Sequence, residues 1–158
     1  MLSSASKQPK PNPSDPVQKF FLIALALLAM LPGAAVATVD DALSFAYEAA
    51  TPYVERGFTF RQDAWGGDLG LGDEKAVTAQ LYRGNEYWFC LGTDTDGATL
   101  RVSIYDSDGK LAQSDVWQKG RFAGARIVPK QTGTYFAIVK VLKSPAERTN
   151  WALVYGYK

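Results

Sequence analysis

The sequence has no histidine and a single cysteine, Cys90, among its 158 residues. Without histidine the chain cannot form a Ser-His-Asp triad, a Cys-His pair or an imidazole proton shuttle. One cysteine excludes a disulfide within the chain and any metal cluster held by several thiolates. The charges are nearly balanced, 17 basic against 16 acidic residues, so no strong field attracts nucleic acid. We therefore predict a protein that is not an enzyme and does not bind nucleic acid.

Residues 1–37 have the pattern of a secretory signal peptide. A polar stretch with three lysines precedes twelve apolar residues, Phe20–Leu31, and Pro32-Gly33 interrupts the run before Ala35-Val36-Ala37. A basic region, a short apolar run and an A-x-A site together indicate cleavage, here between Ala37 and Thr38. The alternative is an uncleaved N-terminal anchor, which is the only membrane contact that we expect. Export to the periplasm or the cell exterior is predicted.

The chain after the predicted cleavage site is nearly neutral. Residues 1–37 contain three basic residues and one acidic residue, which leaves 14 basic and 15 acidic residues in 38–158. In an oxidising compartment an unpaired thiol is stable only where it is buried. Cys90 stands between aromatic residues in EYWFCLG, so we predict that it is buried and inert.

Residues 38–56 are predicted to form one helix. Val39, Leu43, Tyr47, Ala50 and Val54 recur at helical spacing and form a single apolar face. Thr38 is the expected N-cap, acidic residues follow it in the first turn, and Pro52 should end or kink the helix nearby. The acidic polar side argues against a helix on a membrane surface. We expect the helix to cover one face of a sheet.

From Gly57 onward the hydrophobic period changes to two, which predicts strands. Turn residues at 84–85 and 107–109 are read as hairpins, and short connections of this kind favour antiparallel neighbours. The sequence therefore predicts a mainly β domain over 57–158, an antiparallel, jelly-roll-like β-sandwich with one N-terminal helix packed on it. The eight predicted strands are 57–63, 75–83, 86–93, 98–106, 111–118, 122–128, 133–142 and 149–157.

Two of these strands, 86–93 and 133–142, are apolar on both faces. A strand of this kind is expected at the centre of its sheet, with one face on the partner sheet and the other face covered. The helix is the obvious cover. An outer-membrane barrel is disfavoured, because most of the strands are shorter than the roughly ten residues that such a barrel requires.

The order of motifs after residue 86 resembles a known family. An aromatic strand, Tyr87-Trp88-Phe89, precedes the hairpin sequence LRVSIYDSDGKL at 100–111, then Gly133-Thr134-Tyr135-Phe136 and a closing Trp151-Ala152-Leu153. This pattern resembles the bacterial pre-peptidase C-terminal domain, a jelly-roll-like β-sandwich found on secreted proteins. The resemblance covers 86–155, and Arg101 departs from it where members often carry aspartate. It implies an accessory, non-catalytic role.

Two acidic turns raise the question of calcium. Both have the sequence D-x-D-G, with Asp94 and Asp96 in one turn and Asp106 and Asp108 in the other. Alternating aspartates followed by glycine resemble half of a calcium site, although the same residues are also those that tight turns select. The turns flank a single strand, so we expect them at opposite ends of it. Calcium is the only cofactor considered, and both interpretations stay open.

Aromatic residues offer a second candidate site. Trp65, Trp117 and Trp151, with three tyrosines, form a possible stacking surface for sugar rings; the tyrosines are Tyr82, Tyr155 and Tyr157. Packing in the core or at sheet edges is the alternative. The glycines that follow Trp65 predict a hairpin loop over 65–73 rather than a phosphate-binding loop. Trp65 is the best candidate for sugar stacking, because it stands in this predicted loop.

The features together predict an exported, non-catalytic accessory module with a binding or structural role. Recognition is expected through loops at one end of the sandwich or through an exposed sheet face. The partner is expected to be an extracellular or periplasmic protein or a polysaccharide. The alternative function is calcium-assisted carbohydrate binding. A small hydrolase with paired carboxylates is a weaker third interpretation.

Overall fold

The computed structural model describes residues 38–158, so the predicted signal peptide over 1–37 lies outside the described residues. One helix precedes eight strands, as predicted. Their bounds are α1 Val39–Glu55, β1 Thr59–Leu69, β2 Glu74–Leu81, β3 Tyr87–Thr93, β4 Thr99–Tyr105, β5 Asp115–Lys119, β6 Phe122–Ile127, β7 Gly133–Lys143 and β8 Thr149–Tyr157.

The strands form two antiparallel sheets that pack face to face as a β-sandwich, which confirms the predicted fold class. One sheet has the order β1-β8-β3-β6-β5, and the other has the order β2-β7-β4. Consecutive strands cross from one sheet to the other at every connection except β5 to β6. The first and last strands, β1 and β8, lie side by side in the five-stranded sheet.

The predicted hairpins at 84–85 and 107–109 are only partly correct. Each site does contain a tight turn, with positive φ at Gly84 and Gly109. However, β2 and β3 belong to different sheets, and so do β4 and β5. Leu111 makes one isolated antiparallel bridge to Tyr105 before the chain leaves for the other sheet. A short connection therefore joins facing sheets here rather than neighbouring strands.

Helix α1 begins where the sequence predicts. Thr38 is the N-cap, and its side-chain oxygen accepts a hydrogen bond of 3.2 Å from the backbone N–H of Asp41. Asp40 and Asp41 supply negative charge to the first turn, which complements the helix dipole. The helix ends at Glu55, close after Pro52.

The predicted apolar stripe of the helix, which Ala42, Phe45, Ala49 and Tyr53 widen, contains most of the buried residues but is not buried throughout. Val39, Tyr47 and Val54 remain between 38% and 52% exposed, although all three belong to the predicted face. The buried positions are those with small side chains and one tyrosine: Ala42, Ala46, Ala49, Ala50 and Tyr53. Small side chains let the helix backbone come close to the sheet, and that approach outweighs the burial of larger aliphatic residues on the adjacent face.

Glycines in the sheet make the close approach possible. A Cβ atom at Gly92 would overlap the backbone of Phe45 and Ala46 in the helix. At Gly66 a Cβ would meet the Val39 side chain at 2.6 Å, and at Gly156 it would meet the Phe60 ring at 2.5 Å. The glycines, which have no side chain, therefore leave room on the face of the five-stranded sheet that α1 covers.

Two apolar clusters hold the domain together. The first lies between the sheets and includes Phe89, Leu91, Val139 and Leu153. The second lies between α1 and the five-stranded sheet and includes Tyr53, Trp88 and Cys90. The helix thus covers the outer face of β3, as the apolar pattern of 86–93 predicted.

For β7 the predicted central position is confirmed, since the strand lies between β2 and β4, but the helix does not cover its outer face. Phe136 and Ile138 alternate with buried residues, and both are partly exposed on the outer face of the three-stranded sheet. The helix packs against β1, β3, β6 and β8, all of which belong to the other sheet. Within residues 38–158, no element covers this apolar face.

Candidate functional site

The three tryptophans named as a sugar platform do not share a surface. Trp65 lies in strand β1, not in a loop, and its ring stacks on Tyr155 with 5.4 Å between ring centroids. Trp151 is 2% exposed in the core between the sheets. Trp117 lies near the helix, where its indole N–H donates a 2.6 Å hydrogen bond to the Tyr53 hydroxyl. Packing thus accounts for all three side chains.

The predicted hairpin loop over 65–73 is correspondingly shorter than expected. Strand β1 continues through the glycines to Leu69, and only residues 70–73 form the turn. Gly66 is needed for close packing, because a Cβ there would overlap the Val39 side chain and lie 3.2 Å from the backbone oxygen of Trp151. The glycines therefore allow close packing within a strand rather than loop motion.

Three of the four aspartates of the acidic turns accept hydrogen bonds within the protein, while Asp108 contributes only its backbone N–H. Asp96 accepts a 3.0 Å hydrogen bond from the Arg121 guanidinium. Asp94 accepts hydrogen bonds from Thr95 and Asn150, at 3.2 and 3.3 Å. Asp106 caps its own turn by accepting from the backbone N–H groups of Asp108 and Lys110. These contacts are those of ordinary turns and surface ion pairs.

The two aspartate turns lie at opposite ends of β4, as expected. Among residues 38–158, no group of three or more Cys, Asp or Glu side chains is arranged to hold a metal ion. Each turn would have to complete its coordination with backbone oxygens and water. Calcium binding stays a prediction.

The uncovered outer face of the three-stranded sheet is the first candidate site, and we call it the open face. Cross-strand register places its side chains in rows of three across β2, β7 and β4. All of them except Thr78 line a concavity with a volume of about 410 Å³. From one end to the other, the rows are Glu74, Lys140 and Arg101; Ala76, Ile138 and Ser103; and Thr78, Phe136 and Tyr105.

The open face combines apolar and basic chemistry. Its centre is the Ile138 row, where Ala76 and Ser103 are small and leave a depression between larger neighbours. Lys140 forms a 3.3 Å ion pair with Glu74. Arg101 is exposed and makes no ion pair with another residue in 38–158. Among the described residues, Arg101 thus supplies an unpaired positive charge to this surface.

A second concave site lies where the two sheets separate at one end of the sandwich, and we call it the tyrosine pocket. It has a volume of about 240 Å³. The three tyrosines that the sequence singled out, Tyr82, Tyr155 and Tyr157, all line it. Sequence reasoning missed the other lining residues, which come from separate elements: Arg61, Gln80, Asn85 and Tyr87.

Cys90 is fully buried beneath the helix, as predicted. Burial raises the pKa of its thiol well above the usual range, since an apolar surrounding disfavours the thiolate. A thiol held in this protonated state is a poor nucleophile. The side chain acts here as a small apolar residue in the contact between helix and sheet.

An ion pair between Arg126 in β6 and Glu86, the residue before β3, gives the fold a predictable response to acid. Arg126 Nε donates a 2.6 Å hydrogen bond to Glu86 Oε1, which lowers the pKa of Glu86 below its usual 4.5. Because the pKa of Glu86 is lower in the folded than in the unfolded state, its ionised carboxylate stabilises the fold at pH values above the unfolded-state pKa. This stabilisation is lost as the pH falls through the folded-state pKa. Both side chains are 34% exposed, so screening limits the effect to about 0.5–1 kcal/mol.

We therefore expect Glu86→Gln to lower the melting temperature at neutral pH and to have little effect near pH 3. Thermal unfolding of both proteins across this pH range, at fixed ionic strength, measures the difference. The same loss at both pH values would show that the carboxylate charge is not the cause.

Comparisons with known proteins leave the family open. No protein-family model matches the chain, and no curated protein matches it. Among solved structures, it is similar to the crystal structure of Aeromonas hydrophila PliG, a periplasmic lysozyme inhibitor of g-type lysozyme. The two are 13% identical, the match covers 65% of this chain and 90% of PliG, and the TM-score is 0.46. We draw no functional argument from a likeness of this degree.

The described residues contain no helix that is both long enough and apolar enough to cross a membrane.

Proposed function

We propose that the protein is an exported, non-catalytic binding module that docks a protein partner on its open face. One observation carries the proposal: β7 has apolar side chains on both faces, yet only its inner face is covered within the described structure. Phe136 and Ile138 are partly exposed neighbours in one concave surface, and contiguous apolar surface is what marks an interaction site.

The composition of the open face favours a protein as the partner. Protein interfaces are enriched in aromatic residues and arginine, and charged side chains are depleted at their centres. Here Tyr105 and Phe136 form one row, Ile138 occupies the centre, and Arg101 stands at the opposite margin. The partner is expected to present an apolar patch with a carboxylate placed to meet Arg101.

The non-catalytic part of the proposal rests on the scarcity of side chains that could act as a nucleophile or a general base. Histidine is absent throughout, and the only thiol is buried with a raised pKa. The pattern of residues 1–37 supports export. The resemblance of 86–155 to the pre-peptidase C-terminal domain agrees with an accessory role, and we keep that assignment as part of the proposal.

Two substitutions on the open face test this function. The exported form of the protein is immobilised, and proteins retained from an extract of exported proteins of the producing cells are identified by mass spectrometry. Ile138→Asp places a charge in the apolar centre, and Arg101→Glu reverses the exposed charge without disturbing packing. We expect each to weaken binding of the retained partner by about thirtyfold, the equivalent of about 2 kcal/mol at a central contact.

Val116→Asp is the matched control, because Val116 is an exposed aliphatic residue on the other sheet, at 47% exposure. Retention of the same partner by both open-face variants would contradict the proposal. Selective retention of a polysaccharide would show that the partner is a polysaccharide and not a protein. A change from dimer to monomer in Ile138→Asp would identify the partner as a second copy of the chain.

A further inference from the structure

The tyrosine pocket is a separate site that shares no residue with the rows of the open face. Its floor is built from β3 and β8, and its walls from β1, β2 and the turn that joins β2 to β3. Four tyrosines converge there within a volume of about 240 Å³. Most drug-sized ligand sites run to ~300–1,000 Å³, so this pocket suits a smaller group.

Tyr87 places an unused hydrogen-bond donor at the floor of the pocket. The residue is 3% exposed, and its hydroxyl oxygen accepts hydrogen bonds from the backbone N–H of Tyr82 and the amide of Asn85, at 3.0 and 3.2 Å. A phenol has one proton to donate and two lone pairs to accept with. Both acceptor positions are thus in use, while no residue in 38–158 accepts the Tyr87 proton. The hydroxyl proton is left for an acceptor inside the pocket.

Tyr155 offers a second free donor beside it. The residue is 7% exposed, and its hydroxyl makes no hydrogen bond to another described residue. Its ring is held by stacking on Trp65 and Phe89, with centroid separations of 5.4 and 5.1 Å. Burial raises the pKa of the Tyr155 hydroxyl, so it remains a donor well into the alkaline range. A rigid ring with a free polar end is a pre-organised contact.

The remaining wall supplies both hydrogen-bonding partners and a flat surface. The Asn85 amide nitrogen is used by Tyr87, which leaves its oxygen free to accept. Tyr82 and Tyr157 are 55% and 38% exposed, so their rings form the rim. A ligand in this pocket meets donors and an acceptor at the floor and aromatic faces at the sides.

The charge of the pocket is close to zero. Arg61 lies over Tyr155, with its guanidinium carbon 5.8 Å from the ring centroid. The same guanidinium is hydrogen-bonded to Asp63 at 2.9 and 3.2 Å. With its charge matched in this way, the arginine provides N–H donors without a strong preference for anions. This balance favours a neutral ligand over an acidic one.

We propose that the tyrosine pocket binds one uncharged saccharide ring, as a free sugar or as the terminal unit of a glycan. A sugar ring has the required features: hydroxyl groups that accept and donate, apolar C–H faces for the rim tyrosines, no charge, and a size that a small pocket can enclose. This site is independent of the protein-docking function, and either proposal can fail alone.

The test uses methyl glycosides of glucose, galactose and N-acetylglucosamine as probes, with glucuronic acid as the charged comparison. Saturation-transfer NMR and amide chemical-shift titration of the protein measure binding at millimolar concentrations. We expect at least one neutral glycoside to bind saturably, with shifts centred on Asn85 and Tyr157. Tyr155→Phe removes one hydroxyl and keeps the ring, and it should weaken binding by about tenfold.

Tyr82→Ala removes an exposed rim ring and should give a similar loss, without the risk to folding that a core substitution carries. Tyr47→Phe is the matched control, because Tyr47 is a partly exposed tyrosine on α1, outside the pocket. Absence of saturable binding by all three neutral glycosides overturns the proposal. Unchanged affinity in both pocket variants overturns the site, and tighter binding of glucuronic acid overturns the ligand class.

Discussion

A Gly92→Ala variant is expected to lose about 3 kcal/mol of unfolding free energy, at the upper end of the usual cost of overpacking. The added methyl group would overlap backbone atoms of Phe45 and Ala46, on the face where α1 meets β3. A flexible side chain can move aside from such a clash, whereas helix backbone moves only by displacing the whole element. Urea unfolding followed by tryptophan fluorescence measures the change.

Gly133→Ala is the control for this substitution. Gly133 also lies in a strand, it does not have positive φ, and no heavy atom lies within 4 Å of a Cβ built there. Removing a glycine at such a position is neutral or stabilises by about 0.4–1 kcal/mol, because the unfolded chain loses freedom. Equal losses in the two variants would mean that the helix is not seated closely on β3.

Truncation of Tyr53 is expected to have the largest side-chain effect in the helix contact. Its ring stacks on Trp88 at 4.2 Å between centroids, and its hydroxyl accepts the hydrogen bond from Trp117. Tyr53→Ala removes both contacts and leaves a cavity, for which a loss of about 3–4 kcal/mol is typical. Tyr53→Phe keeps the stack and removes only the hydrogen bond, which should cost about 1 kcal/mol.

Chemical denaturation of the two Tyr53 variants gives the comparison, and a cycle with Trp117→Phe separates the shared hydrogen bond from the stacking. If Tyr53→Phe is as destabilising as Tyr53→Ala, the hydrogen bond rather than the ring anchors the helix. If neither variant differs from the wild type, the end of α1 does not contribute to stability.

The strands were predictable because each one has its own alternating pattern. Seven of the eight predicted strands start within two residues of the observed ones. The exception is β5, predicted from 111 and observed from Asp115, because Leu111 instead bridges to Tyr105 and the Gln113 side chain accepts the backbone N–H of Ile104. Those contacts depend on the neighbouring strand, which a local pattern does not reveal.

The partners of each surface were harder to predict than the surfaces themselves. The pattern of β7 correctly indicates two apolar faces, but it does not contain the information that α1 chooses the other sheet. That choice depends on the glycines of the five-stranded sheet, which accept a helix lined with alanines. Large aliphatic residues such as Val54 were expected to dock, and steric fit decided otherwise.

For the candidate sites too, the sequence predicted the residue types but not which residues come together. The tyrosines were identified from their chemistry, and three of them do meet in one pocket. Asn85 and Tyr87 lie close together in the sequence but far from Arg61, and they meet it only when β8 pairs with both β1 and β3. Trp65 and Trp151 were attractive by type, but their burial was decided by neighbours on other strands.

The position of β8 has a consequence for how the chain folds. This strand pairs with β1 on one side and with β3 on the other, so it joins the earliest strands of the sandwich to each other. The five-stranded sheet cannot close until the end of the described sequence is available. Folds dominated by such distant pairings fold slowly. The nascent chain should therefore remain unfolded until late, the state in which a polypeptide can still be threaded through a translocation channel.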